Sequence, residues 1–113
     1  MRHAAVMTPE ERFDALVAGL ADLDGVSPPT GGRRFGAQAL RRDGRIFAML
    51  ARGCLVVKLP RGRVDELVAS GAGVRFDGNK GTPMKEWFVL AGDAPASAWD
   101  TLAREAMEFA RRH

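Results

Sequence analysis

Two dipeptides, Asp43-Gly44 and Arg52-Gly53, cut the stretch ALRRDGRIFAMLARGCLVVKLP (residues 39–60) into three apolar segments of strand length. A two-residue connection between antiparallel strands takes a type I′ turn, whose central residues both need positive φ. Asp-Gly meets that demand at little cost, and Arg-Gly less readily. The chain is therefore expected to form a three-stranded antiparallel meander, with strands near 35–42, 45–51 and 54–59. Two residues in the second turn set Ala51 opposite Cys54 and Leu50 opposite Leu55. Strict alternation then sends Ile46, Ala48, Leu50, Leu55, Val57 and Leu59 to the core side. Phe47, Met49, Cys54 and Val56 go to the reverse side, with Gln38 and Leu40 from the first strand. That reverse face is too apolar to lie bare in water, so a cover is expected: another helix of the chain, or a second subunit.

The flanking segments carry helix signals. Thr8, Pro9 and Glu11 form a T-x-x-E start with proline at the first helical position. Phe13, Leu16, Val17 and Leu20 recur at helical spacing, predicting a helix over 8–24 that Gly25 ends. Pro60 opens a second helix over 60–70, with Val64, Leu67 and Val68 on one stripe and Gly71 at its end. VRF at 74–76 and EWFVLA at 86–91 read as two more strands. Ser97 and Asp100 mark the start of a last helix over 97–112, whose stripe is Trp99, Leu102, Ala103, Ala106 and Ala110. The expectation is one α+β domain over residues 1–113: about five antiparallel strands packed by three helices, in the order α-β-β-β-α-β-β-α.

Composition argues for a binding domain rather than an enzyme. With 113 residues there is enough chain for one core without staples, and the single cysteine, Cys54, cannot close an intrachain disulfide. The N-terminus lacks the apolar stretch of a signal peptide, and no apolar run has the length of a membrane span; a cytoplasmic domain is expected. His3 and His113 lie at opposite ends of the chain, where neither is held as a general base. Cys54 sits among strand apolar residues with nothing beside it to favour the thiolate. No His, Cys or carboxylate cluster has metal-ligand spacing. Catalytic residues, cofactor and metal are accordingly all expected to be absent.

Charge is the feature that points to a partner. Residues 33–85 hold twelve basic and four acidic side chains, net +8, whereas the flanks together hold five basic and ten acidic, net −5. Arg41, Arg42 and Arg45 crowd one hairpin tip, while Lys80 and Lys85 flank the glycine-containing loop GNKGTPMK. These five are the expected nucleic-acid contacts, touching DNA phosphates without reading bases. An alternative uses the apolar reverse face, with Phe47, Met49 and Val56 as the interface of a homodimer. A third makes Trp87 and Trp99 the walls of a small-ligand pocket.

The segments RRFGAQALRRDGRIFAMLARGCLVVKLP and FDGNKGTPMKEWFVL resemble the TfoX N-terminal (TfoX/Sxy) family, and more loosely the MmcQ/YjbR group. Four elements carry the likeness: Phe35-Gly36, the hairpin Asp43 to Ala48, the strand Leu55 to Leu59, and the loop Gly78 to Trp87. It spans roughly residues 30–112. The resemblance implies a regulatory, non-enzymatic role linked to DNA and brings no catalytic residues with it. The longer regulators of that family carry a further C-terminal domain, so a stand-alone domain is the expectation here.

Overall fold

A computed structural model describes residues 8–27, 39–76 and 85–112. Helix α1 (Pro9–Leu20) starts as its sequence demands. The Thr8 hydroxyl accepts from the Glu11 amide at 3.1 Å, and the Thr8 amide donates to Glu11 Oε1 at 2.8 Å. The helix stops at Leu20 rather than 24, and its C-cap is Ala21 in an ordinary helical conformation. Gly25, at φ +76°, is not the cap. It shapes the turn that leads into a short strand, β1 (Val26–Ser27), and its carbonyl accepts from the Asp43 amide.

The meander follows as β2 (Ala39–Arg42), β3 (Arg45–Ala51) and β4 (Cys54–Lys58). Both connections have positive φ at both central residues: 51° and 83° at Asp43-Gly44, 52° and 77° at Arg52-Gly53. Ala51 pairs with Cys54 and Leu50 with Leu55, as the turn length requires. Helix α2 (Arg61–Ala69) ends in a full Schellman arrangement: the Gly71 amide donates to Val68 and the Ala72 amide to Leu67, with Gly71 at φ +84°. Strands β5 (Gly73–Arg75) and β6 (Trp87–Leu90) precede helix α3 (Ala96–Arg112). Ser97 lies inside the first turn of α3 rather than before it, and Asp100 pairs forward with Arg104 at 3.0 Å.

The described strands form one six-stranded antiparallel sheet in the order β1-β2-β3-β4-β6-β5. The α+β class is as the sequence suggests, with one strand more than expected because the two residues of β1 carry no strand signal of their own. All three helices place their buried residues in a single core: Phe13, Leu16 and Leu20 from α1, Val64 from α2, and Trp99, Leu102, Ala103 and Ala106 from α3. They meet Leu40, Ala48, Leu55, Val57, Phe88 and Leu90 of the sheet. Arg12 ties α1 to the start of α3, donating to the Ala94 carbonyl at 2.7 Å with its guanidinium 5.9 Å from the Trp99 ring centroid.

One irregularity changes the reading of the meander. The β2–β3 register runs Leu40↔Ala48 and then Arg41↔Ile46, so Phe47 has no partner and β3 bulges there. Past the bulge the alternation is inverted. Phe47 and Leu40 enter the helix-covered core, and Ile46 joins Ala39, Met49, Val56, Phe76 and Trp87 on the reverse face. The expected sides of Ile46, Phe47 and Leu40 are thus all reversed, because strict period-2 counting does not survive an inserted residue. No described helix covers the reverse face. Even so, Met49 is only 5 % exposed and Val56 0 %.

Candidate anion-binding site

The registers bring the Asp43-Gly44 turn and the Lys58↔Trp87 pair to the same end of the sheet. The C-terminal end of α3 and the N-terminal end of α2 lie there too, as their contacts with Arg42 and Lys58 neighbours show. Here the basic residues divide into two groups.

In the first group, the arginines of the hairpin tip are engaged within the chain. Arg42 is 9 % exposed; its Nη1 donates to the Met107 carbonyl at 3.3 Å and lies 3.6 Å from Glu108 Oε2. Arg45 Nη1 donates to the Ala110 carbonyl at 3.3 Å. Both guanidinium groups therefore sit on the last turns of α3, where the helix dipole is negative, and Ala110 is among the last four carbonyls that lack a helical partner. Arg41, in β2 with Ser27 and Ile46 as cross-strand partners, also has an interaction of its own. Of this trio, Arg42 is buried against α3, whereas Arg45 is exposed while it donates to a carbonyl of that helix. Lys80 lies outside the described residues.

The second group lines a concavity of about 390 Å³ formed by Lys58, Arg61, Lys85, Glu86 and Trp87. Lys58 ends β4, Arg61 is the first residue of α2, and Lys85 precedes β6. Among the described residues none of the three cations has a hydrogen bond or ion pair. Their position is electrostatically unusual. The first turn of α2 contains no acidic residue, and its N-cap, Pro60, has no side chain to accept from the open amides. Positive side chains thus gather at the positive end of a helix dipole, where an anion would be favoured. Glu86 is the carboxylate in the lining, which leaves three positive charges against one negative.

A larger groove of about 640 Å³ shares Arg61 and Glu86 with this concavity and continues over Leu59, Pro60, Arg63, Glu105, Glu108 and Phe109. Its polar wall is closed internally. Arg63 and Glu105 form a two-pronged pair, Nε to Oε1 at 2.9 Å and Nη2 to Oε2 at 3.1 Å, and Glu105 raises the Arg63 pKa chiefly through that hydrogen bond. Lys58 is a single cation in an apolar strand and Arg61 opens a helix, so neither belongs to a dense cationic run of the sequence. A sign was nonetheless present, since Pro60-Arg61-Gly62-Arg63 begins a helix with cations where acids are usual.

The other expected sites fare as follows. Of the proposed dimer residues, Phe47 is 0 % exposed in the helix-side core, and Met49 and Val56 are buried as well. Trp87 and Trp99 do not share a pocket, because Trp99 packs in the helix-side core and Trp87 on the reverse face. Cys54 is partly buried beside Arg52, Val56 and Val74 in a shallow depression of about 210 Å³. Among the described residues no helix is long and apolar enough to cross a membrane, and no three His, Cys, Asp or Glu side chains are grouped to hold a metal ion.

Fold and site together describe an α+β domain with a basic concavity at one end of its sheet, whose cations have no side-chain partner among the described residues. Comparison with family models, with curated proteins and with solved structures finds no match to the chain.

Proposed function

We propose that the protein is a non-enzymatic, TfoX-N-like regulatory domain that binds nucleic acid through phosphate contacts from Lys58, Arg61 and Lys85. The observation that carries this reading is the convergence on one concavity, at the N-terminal end of α2, of three cations that have no side-chain partner among the described residues. An exposed cation outside any ion pair keeps its attraction for an external anion, whereas Arg42 is buried and lies beside Glu108. Phosphates are recognised for charge and not for sequence, so the binding is weak and indifferent to base order.

The test is a fluorescence-anisotropy titration of a labelled oligonucleotide at several salt concentrations. Three phosphates neutralised give a log–log slope of about −2 to −3. Changing Lys58, Arg61 and Lys85 together to glutamine flattens that slope almost completely. Changing Arg42 and Arg45 leaves it in place wherever the variant still folds. An affinity that ignores salt, or a slope untouched by the triple change, overturns the proposal.

A further inference from the structure

We infer that the nucleic acid held in this concavity is single-stranded, with one unpaired base laid against the Trp87 ring. This rests on the phosphate-binding reading above and adds to it the form of the strand.

Trp87 is the first residue of β6 and pairs directly with Lys58 across the strand ladder. Cross-strand partners on one face stand side by side, so the indole and the ammonium are neighbours on the reverse face of the sheet. The ring is half-buried: it packs against the Met49, Val56 and Phe76 cluster on one side and lines the concavity on the other. It is therefore held in place yet reachable. An aromatic fixed on a sheet, with cations at its margin, is the arrangement that stacks a base while its phosphates are neutralised.

Size separates the two forms of nucleic acid. The concavity, about 390 Å³ and open to solvent, has room for one nucleotide. A duplex offers this concavity only a sugar–phosphate ridge, because its base faces are covered by their neighbours and exposing one costs unstacking. A single strand presents base and phosphate together at no such cost. Lys58, Arg61 and Lys85, from three different elements lining one concavity, are then at hand for the phosphates on either side of one base.

The two tryptophans make the inference measurable, since Trp99 is buried under the helices and Trp87 is the one a base can reach. The full chain is titrated at low salt with four polymers of equal length: oligothymidylate, oligouridylate, a duplex, and an abasic deoxyribose-phosphate strand. Tryptophan emission and anisotropy are followed together. Both single strands should quench emission and bind about tenfold or more tighter than the abasic strand, the effect of roughly one stacked base. Trp87→Leu should abolish the quenching and weaken thymidylate binding by about tenfold, with abasic binding unchanged; Trp87→Phe should fall between. If Trp87→Leu does not fold, the thymidylate-to-abasic ratio of the unaltered protein decides alone. Equal affinity for thymidylate and the abasic strand overturns the stacking inference and leaves phosphate binding standing. Tighter binding of the duplex than of thymidylate overturns it too. Failure of every polymer to bind removes both readings.

Discussion

Two groups of cations occupy the same end of the sheet, and the helix ends beside them have opposite sign. Arg42 and Arg45 reach the C-terminal turns of α3, where carbonyls and the negative dipole end receive them. Lys58, Arg61 and Lys85 stand around the N-terminal turn of α2, where the dipole is positive and Glu86 is the one carboxylate in the described lining. The first group stabilises the fold, and the second is left to attract something from outside. Density of positive charge along a chain is thus a poor guide to positive charge available at a surface. What decides is the polarity of the backbone next to it.

The contrast can be broken or sharpened by stability measurements. The largest effect belongs to Phe47→Asp, which places a carboxylate in the helix-side core and also removes a ring that is 0 % exposed. We expect a loss of at least about 4 kcal/mol in urea unfolding, enough to depopulate the folded state. A folded, merely monomeric variant would restore Phe47 to the surface. Next comes Arg42→Ala with Arg45→Ala, which strips the donors from the end of α3. The expected cost is about 2–4 kcal/mol, read as a fall of roughly ten degrees or more in the thermal midpoint.

Smaller effects follow. Arg63→Ala breaks the two-pronged pair with Glu105 that joins α2 to α3, and should cost about 1 kcal/mol because both side chains are partly in water. A double-mutant cycle with Glu105→Ala should return most of that as coupling. At the small end, changing Lys58, Arg61 and Lys85 to glutamine should leave stability within about 0.5 kcal/mol, with any shift upward, since like charges near a positive helix end are relieved. A loss there comparable to the Arg42 and Arg45 variant would erase the distinction between the groups.

The elements were legible where local chemistry decides them. The capping box at Thr8 and Glu11, the type I′ turns, and the Gly71 cap each depend on residues within a few positions of one another, and each is present. What the chain did not disclose depends on partners distant in sequence. Strand β1 exists because Val26 meets Arg42. The candidate site was legible only through Lys85, for the same reason: Arg42 finds Met107 and Arg45 finds Ala110, sixty-five positions away in both cases. Lys58 and Arg61 join Lys85 only once β6 has docked beside β4.

The unpaired Phe47 sets a phase boundary within β3. Every residue between the hairpin tip and position 47 is half a pleat out of step with the rest of the strand, and so Arg45 shares a side with Ala48. Deletion of Phe47 alone would therefore straighten the strand with every other cross-strand pair kept, and Arg45 would stay on the side of α3. The final turns of α3 would keep their donor, while the interior would lose a fully buried ring. The extra residue works as a spare berth, adding an aromatic to the interior without changing which side of the molecule the hairpin tip serves.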